Sequence, residues 1–509
     1  MNDIRVRFAP SPTGYLHIGS ARTAYFNWLF ARKEKGRFIL RIEDTDISRH
    51  QEEMIDTILD SLRWLSLSWD EGPDTGGDYG PYRQSERNEF YQKYAYSLLE
   101  NKKAYRCFCT PEELEKRRQD YAQRGEFFRY DRKCLKLDEG QIKDNLKNNI
   151  PFSVRILPPE NKIISFTDSV YGKIEVNSNT IDDFIIIRSN KLPTYNFSAV
   201  IDDYLMKITH VIRGEDHLSN TPKQLVIYDL LDISPPLFTH LPMILAKSGE
   251  KLSKRHGAIS IESYRDEGFL PEALKNYLAL LGWAFDEKTT IFSEKEIINK
   301  FSLETINKKP AKFDSDKLLH INSIYIKKHE LSDLAEMVKN RFLKRINQMD
   351  ETDFRENGLI QADIKNPSVI KTISADIENK ISSIMPLVNK RAKTLNEIEK
   401  MIYPFFFEIT YSDEIKNFFK NKDINAAGLL QQAESALSKI PDSDFCRLVI
   451  EKELRNLAEK NHISFAEIAE VLRLALWGRT VSLPLFETIE ILGREKSLYR
   501  LKKYQSLIP

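Results

Sequence analysis

The chain has 509 residues, 41% of them hydrophobic, and its 76 basic and 75 acidic residues leave a formal net charge of +1 at pH 7. That length predicts several domains of roughly 100–200 residues each, and the balanced charge excludes a dedicated nonspecific nucleic-acid binder, which is strongly basic, while leaving room for local basic patches that hold one folded RNA. No apolar run approaches the ~20 residues of a membrane helix, and four cysteines cannot form the disulfide framework of a chain this long.

The first residues, Met1-Asn2-Asp3-Ile4-Arg5, are polar and lack a signal-peptide core, so a soluble, cytoplasmic protein without a membrane anchor is expected. Ile4, Val6 and Phe8 alternate with polar residues as a strand does. A loop punctuated by Pro and Gly follows, from Pro10 to Gly14. Ala21 to Arg32 then reads as an amphipathic helix with Ala24, Trp28 and Ala31 on its packed face. Phe38 to Ile42 is a second strand, closing in the acidic turn Glu43-Asp44-Thr45-Asp46. This βαβ opening predicts a parallel, Rossmann-like sheet.

From about Cys107 to Ile187 the texture changes. A charged helix from Pro111 to Arg118 leads into β-rich stretches such as Phe152 to Leu157, as expected of an insertion between two halves of the sheet. The α/β pattern resumes at Lys207 to Arg213, and Thr221-Pro222 suits the N-cap and first turn of a helix. From roughly Leu331 onward the pattern is mainly helical, and no repeat or low-complexity tract interrupts the chain.

Two short segments carry the chemistry. The first runs from Pro10 to Ser20 and places His17 and Gly19 at the start of the first helix. Free N–H groups and the helix dipole favour phosphate there, and a glycine lets a base or ribose approach the backbone. The second, Lys251-Leu252-Ser253-Lys254-Arg255, lies between Gly249 and Gly257. A glycine-flanked loop can close on a substrate, and two ammonium groups can neutralise charge on a triphosphate. Taken singly, His-Ile-Gly reads as an ordinary loop and the lysines as a solvated basic turn. Their order and flanks give them meaning together.

Together these segments resemble the two nucleotide-handling motifs of class I aminoacyl-tRNA synthetases. Within that class the chain is similar from end to end to bacterial glutamyl-tRNA synthetases. Supporting blocks are Arg41-Ile42-Glu43-Asp44-Thr45-Asp46, Gly80-Pro81-Tyr82-Arg83-Gln84-Ser85, Pro193-Thr194-Tyr195-Asn196-Phe197, Val211-Ile212-Arg213-Gly214-Glu215-Asp216-His217 and Gly268-Phe269-Leu270-Pro271-Glu272-Ala273. The resemblance implies activation of L-glutamate by ATP with Mg²⁺, giving a glutamyl adenylate and diphosphate. Transfer to the terminal ribose of tRNA(Glu) and release of AMP then follow. It also implies an architecture: a Rossmann-like catalytic domain in two halves (1–105 and 189–245) around an inserted α+β acceptor-stem-binding domain (106–188). A stem-contact region carrying the lysine loop (246–330) and an all-α anticodon-binding region (331–509) complete it. A monomer is expected.

By the same resemblance ATP is handled by His17, Gly19, Lys251, Lys254 and Arg255, of which His17, Lys251 and Lys254 act in catalysis. Glutamate is held by Arg7, Ser11, Glu43, Tyr195 and Arg213. A substrate with two carboxylates and one ammonium requires two cations and an anion around it, and a bidentate guanidinium adds geometry to charge. Such a site rejects glutamine, whose amide leaves buried guanidinium capacity unpaired. Since the attacking carboxylate is already ionised, alignment and charge stabilisation suffice for the first step.

Cys107, Cys109 and Cys134 lie close in sequence, as in the zinc site of some family members. A structural Zn²⁺ wants four ligands. Where relatives place a histidine this chain has Lys136, which leaves Tyr130 as the fourth candidate; three reduced thiols without metal are the alternative. In the helical region, Leu472 to Arg479 and Ile491 to Arg494 match family blocks loosely, and exposed Arg and aromatic groups could contact anticodon bases. The rival readings are a glutaminyl enzyme, a tRNA-modifying relative, a small-molecule nucleotidyltransferase and a non-catalytic RNA-binding descendant. The long helical extension disfavours the first three, and the intact His17, Gly19, Lys251 and Lys254 disfavour the last.

Overall fold

Val6 and Phe8 bury their side chains in β1 (Arg5–Phe8), the strand that opens the chain. The computed structural model describes every residue except 1–2, 46–48, 127, 251, 253–259, 284–285, 287, 358–365, 421, 423, 481 and 509. After β1 comes α1 (Ile18–Lys33), which starts where the extended His17 accepts backbone hydrogen bonds from Gly19 and Ser20. It buries Ala21, Ala24, Tyr25, Phe26, Trp28, Leu29 and Ala31, a wider face than the sequence pattern predicts. β2 (Arg37–Leu40) then pairs parallel with β1, completing the expected βαβ unit.

The chain continues through α2 (Arg49–Trp64) and α3 (Asn88–Glu100) to β3 (Ala104–Cys107). Next come α4 (Pro111–Gln123), α5 (Glu139–Lys147), β4 (Ser153–Ile156), β5 (Ile163–Asp168), β6 (Gly172–Asn177) and β7 (Ile185–Ile187). Thr110 and Glu113 form a reciprocal capping box at the start of α4. Then follow α6 (Tyr195–Leu205), β8 (His210–Gly214), α7 (Thr221–Leu231), β9 (Leu237–Leu241) and the short β10 (Ile244–Leu245).

The main sheet has the order β2-β1-β8-β9-β5-β6. Its first five strands are parallel and β6 returns antiparallel from β5. A second sheet, β3-β4-β7, is antiparallel. The segment 106–188, expected as one inserted domain, therefore supplies strands to both sheets. Alternation of apolar residues in β5 marks a strand but carries no record of its partner. Asn27 of α1 donates to the Ile212 carbonyl on β8 at 3.0 Å. Phe197, Val200 and Ile201 of α6 and Val226 and Ile227 of α7 share a core with Val211 and Phe238. Each such fully buried side chain contributes about 1.5–3 kcal/mol.

Two local expectations change. Lys207 adopts φ 58°, a turn conformation, so the strand begins at His210 rather than Lys207. Thr221 is the first helical residue rather than the cap, because a 3₁₀ turn over Glu215–Asn220 runs directly into α7. Its hydroxyl serves Arg213 instead.

Residues 1–266 with 271–321 form one compact unit, and 267–270 with 322–509 form another. The second is helical, with no strand among its described residues. Its longer helices are Leu331–Ile346, Pro367–Val388, Leu395–Phe406, Ala426–Ser438, Arg447–Lys460, Phe465–Trp477 and Arg494–Gln505. Inside it, buried Arg500 donates to the carbonyls of Leu476, Pro404 and Phe407 at 2.7–2.8 Å, satisfying helix ends that no N–H reaches. Among the described residues no helix is long and apolar enough to cross a membrane.

Candidate active site

Ligands in open α/β sheets bind at the carboxyl ends of the strands. At that edge the adjacent strands β2, β1 and β8 place Glu43 three residues after β2, Arg7 on β1 and Arg213 on β8. Tyr195 comes in from the first residue of α6. The loop carrying Ser11 is fixed beside Glu43, because the Glu43 amide donates to the Pro10 carbonyl at 2.9 Å; Ser11 itself is exposed.

The two arginines are held differently. Arg7 gives its Nε and Nη2 to the carboxylate of Asp203 at 3.0 and 3.3 Å. Asp203 also accepts from Arg41 Nη1 at 2.7 Å, and Arg41 Nη2 reaches Glu43 at 3.1 Å. Burial opposes ionisation of Asp203, yet Arg7 and Arg41 hold its carboxyl below the ordinary range. For Glu43 burial wins over Arg41 and pushes its pKa up. A second buried carboxylate, Asp202, takes Arg87 Nε at 2.6 Å and Gln84 at 2.7 Å.

Arg213 has no carboxylate within ion-pair distance among the described residues. Its Nε donates to His240 Nε2 at 3.1 Å, and its Nη2 donates to Thr221 and Gln224 at 2.8 and 2.9 Å. Its Nη1 makes one long contact, to the Tyr195 hydroxyl at 3.4 Å. Burial lowers its pKa, though a guanidinium stays charged. Burial likewise pushes the Tyr195 phenol up, and that ring senses Arg213, Glu43 and Arg7 together. The edge thus carries a buried cation whose direct hydrogen-bond partners are neutral, with Asp203 acting on it through space.

His17 caps α1 with its Nδ1, 3.1 Å from the Gly19 amide and 3.3 Å from that of Ser20. Because Nδ1 accepts, the proton sits on Nε2, which lies 3.1 Å from the Ser20 hydroxyl. A Cβ on Gly19 would stand 3.1 Å from the His17 ring, so here the missing side chain makes room for the imidazole.

Lys251, Lys254 and Arg255 lie outside the described residues, but the chain on either side is anchored. Gly249 turns at φ 91°, a conformation suited to glycine. The Leu252 amide donates to Ile244 of β10 at 3.3 Å. Beyond the segment, Ser260 bridges to His17, and the Ile261 amide reaches the Leu16 carbonyl at 2.9 Å. The downstream foot of the lysine segment therefore sits directly beside the capping histidine.

The three local cysteines converge, their sulfurs all within 4.8 Å of one another. Cys109 and Cys134 are 3.7 Å apart, and the Tyr130 hydroxyl is 3.3 Å from Cys107 and 3.4 Å from Cys109. A tetrahedral site with Zn–S of ~2.3 Å and Zn–O of ~2.0 Å has edges of about 3.8 and 3.5 Å, close to these three distances, so the cluster is compatible with one. Hydrogen bonding from Cys134, then from Tyr130 and Arg155, brings the Cys107 thiol down against burial. Burial pushes the Tyr130 phenol up, and the Arg155 guanidinium lies 4.0 Å from its ring centroid.

Several residues of this site carry no local signal in sequence. Arg41 and Asp203 bond across 162 positions, His240 reaches Asp168 across 72 and Arg213 across 27, and Thr221 and Gln224 stand 8 and 11 positions from Arg213. Only the buried acidic pair Asp202-Asp203 in an otherwise apolar helix face could have pointed to a charge network.

A family model described as "tRNA synthetases class I (E and Q), catalytic domain" matches residues 3–320, and one described as "Anticodon binding domain" matches residues 333–505. A protein named glutamate--tRNA ligase 2 from Caldicellulosiruptor saccharolyticus is 42% identical over 500 residues, covering 98% of each chain. A glutamate--tRNA ligase from Moorella thermoacetica is 43% identical over 508 residues, covering 99% of this chain and 98% of its own. The crystal structure of a glutamate tRNA ligase from Elizabethkingia meningosepticum, in complex with its amino acid, superposes with a TM-score of 0.83 at 32% identity and full coverage of both chains.

Proposed function

The chain belongs to the class I tRNA synthetases of the E and Q group, and from that premise we propose that it ligates L-glutamate to tRNA(Glu) at the expense of ATP. In the first step a carboxylate oxygen of glutamate attacks the α-phosphorus of ATP, the bond to the β-phosphate breaks, and diphosphate leaves. In the second a hydroxyl of the terminal tRNA ribose attacks the adenylate carbonyl, and AMP leaves.

The observation that carries this reading is the charge pattern at the edge of β2, β1 and β8. Glu43 supplies the anion for the substrate ammonium, and Arg7 and Arg213 supply cations for its two carboxylates, with Ser11 and Tyr195 adding hydroxyl contacts. Arg7 is already shared with Asp203, whereas Arg213 has no direct carboxylate partner among the described residues, as suits a site for a side-chain carboxylate. Glutamine would leave that guanidinium buried without a counter-charge. His17 offers Nε2–H to the nucleotide phosphates, Gly19 keeps the helix entrance open, and Lys251, Lys254 and Arg255 neutralise the triphosphate, which arrives as its Mg²⁺ complex.

The cysteine cluster fits one structural Zn²⁺, held by Cys107, Cys109, Cys134 and Tyr130; when bound it would stabilise the fold of the small sheet and its helices. The helical unit is assigned to the anticodon stem and loop. A cytoplasmic, monomeric enzyme completes the reading.

Pyrophosphate exchange into ATP tests it. Exchange that depends on L-glutamate and is compared with and without tRNA(Glu) is the expected result. Exchange supported equally by glutamine, or by no amino acid at all, overturns it.

A further inference from the structure

Arg213, which lacks a direct carboxylate partner among the described residues, is itself held by a buried relay outside the expected site. Arg213 and His240 are directly paired in the register of β8 and β9, so their side chains leave the sheet on the same face. His240 is fully buried. Its Nδ1 lies 2.7 Å from Oδ2 of Asp168, the last residue of β5, the strand next to β9. The same carboxylate accepts the His240 amide at 3.0 Å, and its other oxygen accepts the amides of Val170 and Tyr171 at 2.9 and 2.8 Å.

This arrangement leaves one tautomer. Asp168 can only accept, so Nδ1 carries the proton; Arg213 can only donate, so Nε2 must be bare. The imidazole is therefore neutral, and burial, which lowers its pKa, acts in the same sense. Thr221 also contacts Nε2, at 3.1 Å. With Nε and Nη2 fixed, the remaining edge of the guanidinium faces Tyr195.

We propose that His240, oriented by Asp168, is a positioning residue that aims Arg213 at the side-chain carboxylate of the amino-acid substrate. The inference rests on the glutamate reading above. Its physical logic is a choice of acceptor. A carboxylate placed against Arg213, as Glu71 is against Arg5 at 2.6 Å, would neutralise the guanidinium and compete with the substrate. A neutral imidazole fixes the same geometry and leaves the charge available. That acceptor is in turn held by the Asp168 carboxylate, one ring further back.

Asp168→Asn and His240→Gln test this, singly and together, in the full chain with tRNA present. Asn at position 168 presents a donor to Nδ1 and drives the imidazole to the other tautomer, so that N–H meets N–H at Arg213. The Km for glutamate should rise tenfold or more while the Km for ATP stays within about twofold. Gln at position 240 keeps an oxygen that can accept from Arg213 but no longer reaches Asp168. It should cost less than Asp168→Asn, and adding Asp168→Asn to it should change the glutamate Km little. Additive losses in the double variant, or equal rises in the Km values for glutamate and ATP, would overturn the proposal and show a merely structural role. Absence of glutamate-dependent exchange in the unsubstituted protein would instead strike the function reading itself. Thermal unfolding midpoints separate loss of fold from loss of aim, and the conservative His240→Gln variant keeps the comparison informative if Asp168→Asn does not fold.

Discussion

Replacing Arg213 by Gln isolates the charge on which the proposed glutamate site depends. The guanidinium is buried, with Nη1 in one long contact to the Tyr195 hydroxyl and no direct carboxylate partner among the described residues. A charge-assisted hydrogen bond contributes about 1.5–3 kcal/mol, and a glutamine amide returns about 0.5–1.5 kcal/mol of each as a neutral bond. For a two-armed contact the net loss is about 2–3 kcal/mol, or roughly 30- to 140-fold in affinity at about 1.4 kcal/mol per decade. Because the contact is to a part of the substrate remote from the reacting carboxylate, the loss falls on the Km for glutamate more than on kcat. Preference for glutamate over glutamine should fall with it, since a neutral site no longer penalises the amide. Glutamate- and glutamine-dependent pyrophosphate exchange at saturating ATP and tRNA measures both quantities. A glutamate Km within about threefold of the original, in a variant that unfolds at the original temperature, would refute the assignment of Arg213 to the substrate carboxylate.

Three further outcomes are expected. Elemental analysis of the purified protein should find about one zinc per chain, lost after chelation or Cys109→Ser, because removing one thiolate breaks a four-ligand site. Arg500→Met strips the donors from three buried carbonyls and should destabilise the helical unit by about 3–5 kcal/mol in urea unfolding; a change below about 1 kcal/mol would contradict that accounting. Burial lowers Lys496 from 10.5 to about 8, so between those values the unfolded chain binds the extra proton. Stability of the helical unit should therefore rise with pH over that window, by about 1–3 kcal/mol relative to a Lys496→Met variant, and parallel curves for the two proteins would dismiss the effect.

The parts of the molecule legible in the sequence are those whose physics is local. The βαβ opening followed from alternation in Ile4 to Phe8 and the helical face of Ala21 to Arg32. The positions of Arg7, Glu43 and Arg213 at the ends of strands, and of His17 at a helix start, followed from where those strands and that helix begin and end. The partners of those residues were not legible. Asp203 joins Arg7 to Arg41 across 196 and 162 positions, and nothing near it in sequence announces that bond. Thr221 reads as a cap because its neighbours favour one, yet the preceding 3₁₀ turn makes the cap unnecessary and frees its hydroxyl for Arg213. Asp168 fell inside a stretch assigned to the insertion, so its place beside His240 had no counterpart in the sequence reading.

The path of the chain between its two sheets also limits how the protein can be rebuilt. It leaves β4 of the small sheet at Ile156, enters the main sheet as β5 and β6, and returns to the small sheet at β7. Residues 106–188 are consequently not a cassette. A graft that exchanged them whole for a relative's segment would swap out two strands of the main sheet and, with Asp168, the residue that holds His240. A chimera that keeps 163–177 native and exchanges only the flanking stretches leaves that sheet intact, and it is the design for altering the small sheet without disturbing the pocket.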